Sequence, residues 1–431
     1  MSSGFWSASA MKKLLLTLFI VLLCSNLAPA WGTFAHRTVT QLAVYALPAN
    51  LRAYYFRHMP ALVNGSAGGN EARERDIAES PRHFISMDHY GTDPFGIMPK
   101  EWEKAAAKYT ADTLRKYGTL PWAVIDTKNK LTTAFRDADT TAILTLSAEL
   151  SHLVADAYVP LRTTENYDGQ LSKQEGLLAL WESKLPEQFI GKYKLKNEPA
   201  RPLKDPLADI WQVVQESYGF LGATFDYEEK TTRKFTPQTK YVFSHKYGET
   251  RRAYSDAFAE AYHADQIGGM IAFRLKLAPT LVASMWLTAW KDAGSPDLNK
   301  LLKRPVSKEE KEQLDTQLSA WKDNVLVDQK SLLALEPMKA EVRPDLINAA
   351  RDMPTLSPDM EAKAPAAAPA PTAPATAAAP ATTKVKTKVK PADGPVVKEK
   401  AKPAAKPAAK PKPKAKAKAD DGWGSPAGSG W

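Results

Sequence analysis

The chain predicts an all-α protein, and three observations carry that reading. Apolar residues recur at helical spacing through most of the body. Strand-type alternation is nearly absent. The helical stretches close on stop signals such as Pro48, Pro160 and Asp292-Ala-Gly-Ser-Pro296. The expected organisation is a leader over residues 1–30, one helical domain over 31–300, a helical extension over 301–353 and a disordered tail over 354–431.

In chain order, Met11-Lys-Lys opens a basic segment, Leu14 to Leu23 is a short apolar core, and Ala28-Pro-Ala30 offers a small-x-small cleavage site. This is the pattern of a secretory signal peptide, with Met11 as an alternative start. The apolar core is short for a bilayer span, and Leu23 before the only cysteine, Cys24, fits a lipoprotein cleavage site poorly. The expected mature chain is therefore exported, periplasmic or extracellular, and without cysteine. A large core or a metal must hold it together in place of disulfides. Cleavage after Ala30 would also free the α-amine of Trp31, a possible metal donor.

A helix is expected from about His36, with Val39, Leu42, Ala43 and Ala46 on one face. Residues 62–71 are Gly/Asn/Ser-rich and expected as loop. Helices follow over about 102–117, 131–157, 176–189, 207–220 and 253–290, with Gly118-Thr-Leu-Pro-Trp122 as a turn and 196–206 as a charged connection. The run Ala278 to Trp290 is too short and interrupted for a membrane span, so it is expected as a buried core helix, leaving no transmembrane helix in the mature chain. Ser307-Lys-Glu-Glu310 is a capping box opening a last helix to about Leu335.

The formal charge of +10 is concentrated in one place. Between Lys384 and Lys418 stand thirteen Lys against Asp393 and Glu399, a net of +11 that leaves about −1 for the rest. Polyanion binding is thus a property expected of the Ala/Pro/Lys tail. Its partners would be anionic lipid headgroups, envelope polymers or nucleic acid.

Chemistry concentrates in Leu150 to Gln170. His152 and Asp156 stand one helical turn apart, so an imidazole and a carboxylate share a face. That donor pair suits a divalent metal such as zinc, although a helical His/Asp pair also serves as a plain surface hydrogen bond. A second cluster, Pro81-Arg-His-Phe-Ile-Ser-Met-Asp-His-Tyr-Gly91, holds His83.

Trp31 with His36, PRHFISMDHYG, GTLPW, HLVADAYVPL, NYDGQ, ALWESKLPE and VASMWLTAWKDAG follow one another over about Trp31 to Leu298. Together they resemble the zinc-dependent phospholipase C family, whose superfamily includes single-strand-specific nucleases. The resemblance implies a helical fold with clustered zinc ions that cleaves phosphodiesters, either phospholipid or nucleic acid. It implies one zinc on Trp31, His36 and Asp156, and a second on His83, His152, a bridging Asp156 and an upstream carboxylate. A third would take Glu182 and two histidines. The upstream carboxylate would be Asp76, with Asn70 and Glu71, nearer the family's spacing, as the alternatives. A water on the Trp31/His36/Asp156 and His83/His152 metals would attack phosphorus, with Asp156 as the central catalytic carboxylate.

The chain departs from that pattern at the third site. Arg162 and Leu178 stand where the two histidines are expected, and Ser86 stands where an aspartate is common. One or two zinc ions are therefore expected. Arg162 has two readings, an ion pair that fills the vacated position beside Glu182 or a clamp on substrate phosphate. Leu178 suggests that the site has partly become core. Trp31 could be a buried aromatic and His83 a core histidine; His58, His89, His245 and His263 match no motif position. Two functions follow, a zinc-dependent phosphodiester hydrolase, or an inactive relative that binds phosphate ligands or envelope components through its cleft and tail.

Overall fold

The computed structural model describes residues 32–68, 78–246, 249–302 and 304–336. The expected leader, Trp31, Asn70, Glu71, Asp76 and the basic tail lie outside the described residues. The fold is predominantly helical, with one small two-stranded sheet among the described residues.

The centre is α1 (Thr33–Ala46), in which every residue from Phe34 to Ala46 is buried. A helix buried on all sides must be enclosed by others, and α1 packs against α3 (Met59–Gly65), α7 (Thr140–Ala157) and α12 (Gly268–Asp292). Two of its buried polar residues are bonded outwards: Thr40 Oγ1 lies 2.7 Å from Ser151 Oγ of α7, and Gln41 Nε2 donates to Ser331 O in the C-terminal extension at 2.7 Å. Between α1 and α3 runs α2 (Ala49–Arg57).

Three expected elements are interrupted, each by a local signal. The helix expected over 102–117 is α4 (Trp102–Tyr109) and α5 (Ala111–Tyr117). They break at Thr110, which has φ +67° and whose hydroxyl accepts from Thr113 N at 3.3 Å. The helix expected over 131–157 is the end of α6 (Leu120–Arg136) followed by α7. Here Ala138 takes φ +56°, and Asp139 caps α7 by accepting from Ala142 N at 3.0 Å. The loop expected over 62–71 is helical as far as Gly65, because Leu62 and Val63 are core residues.

Next, α8 runs from Leu177–Ala179 through a π-helical turn at Leu180–Lys184 to Leu185–Phe189. It is followed by α9 (Pro206–Gly219) and α10 (Leu221–Thr232). The strands β1 (Tyr241–Lys246) and β2 (Glu249–Tyr254) form an antiparallel hairpin, with Tyr241 opposite Tyr254. The hairpin was not expected from the sequence; its signal is Tyr241 and Phe243 in the first strand and Tyr254 in the second.

The stretch expected as one helix over 253–290 is α11 (Asp256–Tyr262), a π turn at His263–Ile267 and α12. The break is a kink at Asp265 and Gln266, the latter at φ +77°. The whole run Asp256–Asp292 is long and apolar enough to cross a membrane by length and composition alone. In the fold it is a core element: Val282, Ala283, Met285 and Trp286 are fully buried, and Trp286 Nε1 donates to Ser147 O at 3.0 Å.

The extension contains α13 (Lys308–Lys322), opened by the Ser307/Glu310 capping box. It ends earlier than the sequence suggests, because Asn324 turns the chain at φ +58°. Residues beyond it lie across α1 rather than continuing the helix: Leu332 is fully buried, and Arg37 Nη1 donates to Glu336 O at 2.8 Å.

Candidate metal centre

Five separate segments bring the expected site residues together. His36 lies in the first turn of α1, and His152 and Asp156 lie one turn apart on α7. His83 closes a 3₁₀ turn at Ser80–His83, and Arg162 lies in another at Pro160–Thr163. Glu182 lies in the π turn of α8. Such single-turn π segments recur where a side chain must be re-aimed at a site.

Backbone contacts fix these segments. Gly32 N donates to Glu182 O at 3.1 Å, joining the start of α1 to α8. A Cβ on Gly32 would sit 2.3 Å from Ser183 Oγ, so the approach requires glycine. Ile85 N donates to Arg162 O at 2.9 Å, and Ser86 N to Tyr117 O at 2.7 Å. Gly118, at φ +98°, lets α6 start against Phe84, where a Cβ would lie 2.1 Å from Phe84 O.

At the centre, His36, His152 and Asp156 form a buried group whose ligand atoms all lie within 4.8 Å of one another. His36 Nε2 is 3.6 Å from Asp156 Oδ1, and His152 Nε2 is 3.3 Å from Asp156 Oδ2. The two imidazoles stack with centroids 3.8 Å apart and planes 8° from parallel. His152 Nδ1 lies 2.7 Å from Ser66 O and donates to that carbonyl. That bond places a proton on His152 Nδ1 and turns Nε2 towards Asp156. Two imidazole nitrogens and a carboxylate, one nitrogen oriented by a backbone carbonyl, can hold a metal ion.

His83 and Arg162 approach the same carboxylate. His83 Nδ1 is 2.8 Å from Asp156 Oδ2, and Arg162 Nε is 3.8 Å from Asp156 Oδ1. Burial opposes ionisation of Asp156, but His152, Arg162 and His83 outweigh it and hold the carboxyl well below its usual range. The Arg162 guanidinium donates through Nε to Glu182 Oε1 at 2.9 Å and through Nη2 to Glu182 Oε2 at 3.1 Å. Leu178, at the other expected histidine position, is fully buried in the core. Of the two readings of Arg162, the structure places the ion pair.

Of the expected metal residues, then, His36, His152 and Asp156 converge and His83 touches their carboxylate. Glu182 is turned to Arg162. Two participants escaped the sequence reading. Ser66 contributes only a backbone oxygen, which leaves no side-chain signature. Glu79 stands one helical turn before His83, with Oε1 3.5 Å from His83 Nε2; this spacing mirrors His152/Asp156 and was readable. Burial raises the Glu79 carboxyl, but the hydrogen bonds from His83 and Arg82 dominate and hold it at about 2.

Beside the centre lies a cavity of about 430 Å³ lined by Glu79, Arg82, His83, Glu149, His152 and Leu144, among others. It reaches two of the histidines from outside the buried group. Compared with protein-family models and with curated proteins, the chain matches none.

Proposed function

We propose that this chain is an exported, zinc-dependent phosphodiester hydrolase of the phospholipase C and nuclease type, working with a single ion. The observation that carries the reading is the convergence of His36, His152 and Asp156 beside a cavity of headgroup size. Zinc bound there would supply a water of lowered pKa and neutralise charge on phosphorus. The residues have distinct parts. His36, His152 and Asp156 would hold the ion, Ser66 orients His152, and Arg162 neutralises Glu182 and adds fixed positive charge near Asp156. Arg82 is shared between Glu79 and Glu149, and among the described residues that line the cavity it is the cation an entering phosphate would meet.

One observation favours the second reading, an inactive relative that keeps the ion as a structural element. His36 and Asp156 are fully enclosed, and structural zinc sites are closed whereas catalytic ones keep an open position. Zinc content, read beside hydrolysis of bis(p-nitrophenyl) phosphate, phosphatidylcholine vesicles and single-stranded DNA, separates the two. One zinc per chain with turnover lost in Asp156→Ala supports the hydrolase. One zinc with no turnover on any of the three supports the inactive relative. A chain that binds no zinc sinks both.

A further inference from the structure

We infer that His83 is a positioning residue that ties Asp156 to Glu79, and that it is not a ligand of the ion. The inference rests on the proposed metal reading and differs from the ligand role that the resemblance implies. Its basis is a length argument. Two atoms on one tetrahedral zinc, each about 2.0–2.1 Å from it, stand roughly 3.3–3.4 Å apart. His152 Nε2 and His36 Nε2 are 3.3 and 3.6 Å from the Asp156 oxygens, which brackets that edge. His83 Nδ1 is 2.8 Å from Asp156 Oδ2, the length of an N–H···O bond to a carboxylate. It leaves His83 Nδ1 bonded to the ligand oxygen itself.

The other side of the ring agrees. His83 Nε2 faces Glu79 Oε1 at 3.5 Å. Both Glu79 oxygens are already held by Arg82 Nη1, at 2.7 and 2.9 Å. Arg82 in turn reaches Glu149 and Thr127 at 2.5 and 2.8 Å. The ring thus stands between a ligand carboxylate that it bonds and an anchored carboxylate 3.5 Å away at the cavity wall. Such carboxylate–imidazole–carboxylate chains set the orientation and basicity of a ligand without touching the metal.

The test compares wild type with His83→Ala, His83→Asn and Glu79→Gln. Zinc per chain is measured by elemental analysis, affinity by chelator competition, and coordination by the visible spectrum of the Co²⁺-loaded protein. The expected result for His83→Ala is an unchanged count of one ion, an affinity about 10- to 100-fold weaker, and Co²⁺ bands at the wild-type positions. In His83→Asn the amide N–H can take the place of Nδ1–H, so most of the affinity returns. Glu79→Gln, which leaves the buried ring in place, weakens binding less and guards against misfolding of the alanine variant. Loss of a whole metal equivalent in His83→Ala, or a shift of its Co²⁺ bands, overturns the inference while leaving the metal reading intact. A wild-type chain without zinc removes both.

Discussion

Arg162 and Glu182 meet in the interior as a two-bond pair, with 5% and 0% of their surfaces exposed. Two charges taken from water stabilise a fold only while each satisfies the other. Arg162→Ala should therefore leave a buried carboxylate without its arginine and cost about 3–5 kcal/mol in urea unfolding. The double variant Arg162→Met/Glu182→Gln, which removes both charges, should lose much less. Equal losses in single and double variants would show that packing, not charge compensation, fixes the pair.

The buried triad predicts linkage between zinc and stability. An ion that binds the folded chain alone raises stability by about 2.7 kcal/mol when free zinc is 100 times its dissociation constant. Thermal melts with added zinc should rise in wild type and stay flat in Asp156→Ala and His36→Ala. A chelator should reverse the rise. Equal shifts in wild type and both variants would place the zinc elsewhere on the chain.

Much of this centre was legible in the sequence, and the rest was hidden for physical reasons. The one-turn spacing of His152 and Asp156 fixes their shared face wherever α7 packs. The coincidence of Arg162 with the loss of a histidine at Leu178 announced the ion pair, because an orphaned Glu182 needs a cation. The role of His83 was not legible. Ligand and hydrogen-bond donor are the same residue in the sequence, and a difference of about half an ångström separates them. The helix breaks at Thr110 and Ala138 were equally hidden, since periodicity continues through both while the backbone at each takes positive φ. The hairpin escaped because its inner face is anchored by polar partners. Tyr254 OH donates to Glu228 Oε1 at 2.9 Å, and Lys240 Nζ lies 2.7 Å from the same oxygen.

Acid should loosen the docking of α13. Hydrogen bonds from Arg57, Ser307 N and Arg304 hold the Glu310 carboxyl down from its ordinary 4.5 to about 2. A carboxyl depressed in the folded state stabilises it fully above the unfolded value, and that contribution is lost as pH falls through the folded value. The difference in Tm between wild type and Glu310→Gln should be greatest above pH 4.5 and shrink towards pH 2. Added salt should reduce it as well, since the site is partly exposed. A gap that stays constant over this range would exclude the carboxylate charge as the cause.

The segment after residue 304 should prove inseparable from the helix that carries His36. Along α1, Arg37 donates to Glu336 O, Gln41 Oε1 accepts from Leu333 N at 2.7 Å, and Tyr45 OH donates to Gln317 Oε1 at 2.7 Å. Trp321, buried beside Tyr45, donates through Nε1 to Asn197 Oδ1 at 3.1 Å. Trp321→Ala should cost about 3–5 kcal/mol, as expected for deleting a buried tryptophan side chain, without changing zinc per folded chain. A chain ending at Leu302 loses all of these contacts and uncovers one side of α1. It should melt far below wild type or fail to fold, and lose its zinc with the fold, because His36 is held only while α1 is enclosed. A truncated chain that melts like wild type and retains its zinc would show that the extension merely rests on a core complete without it.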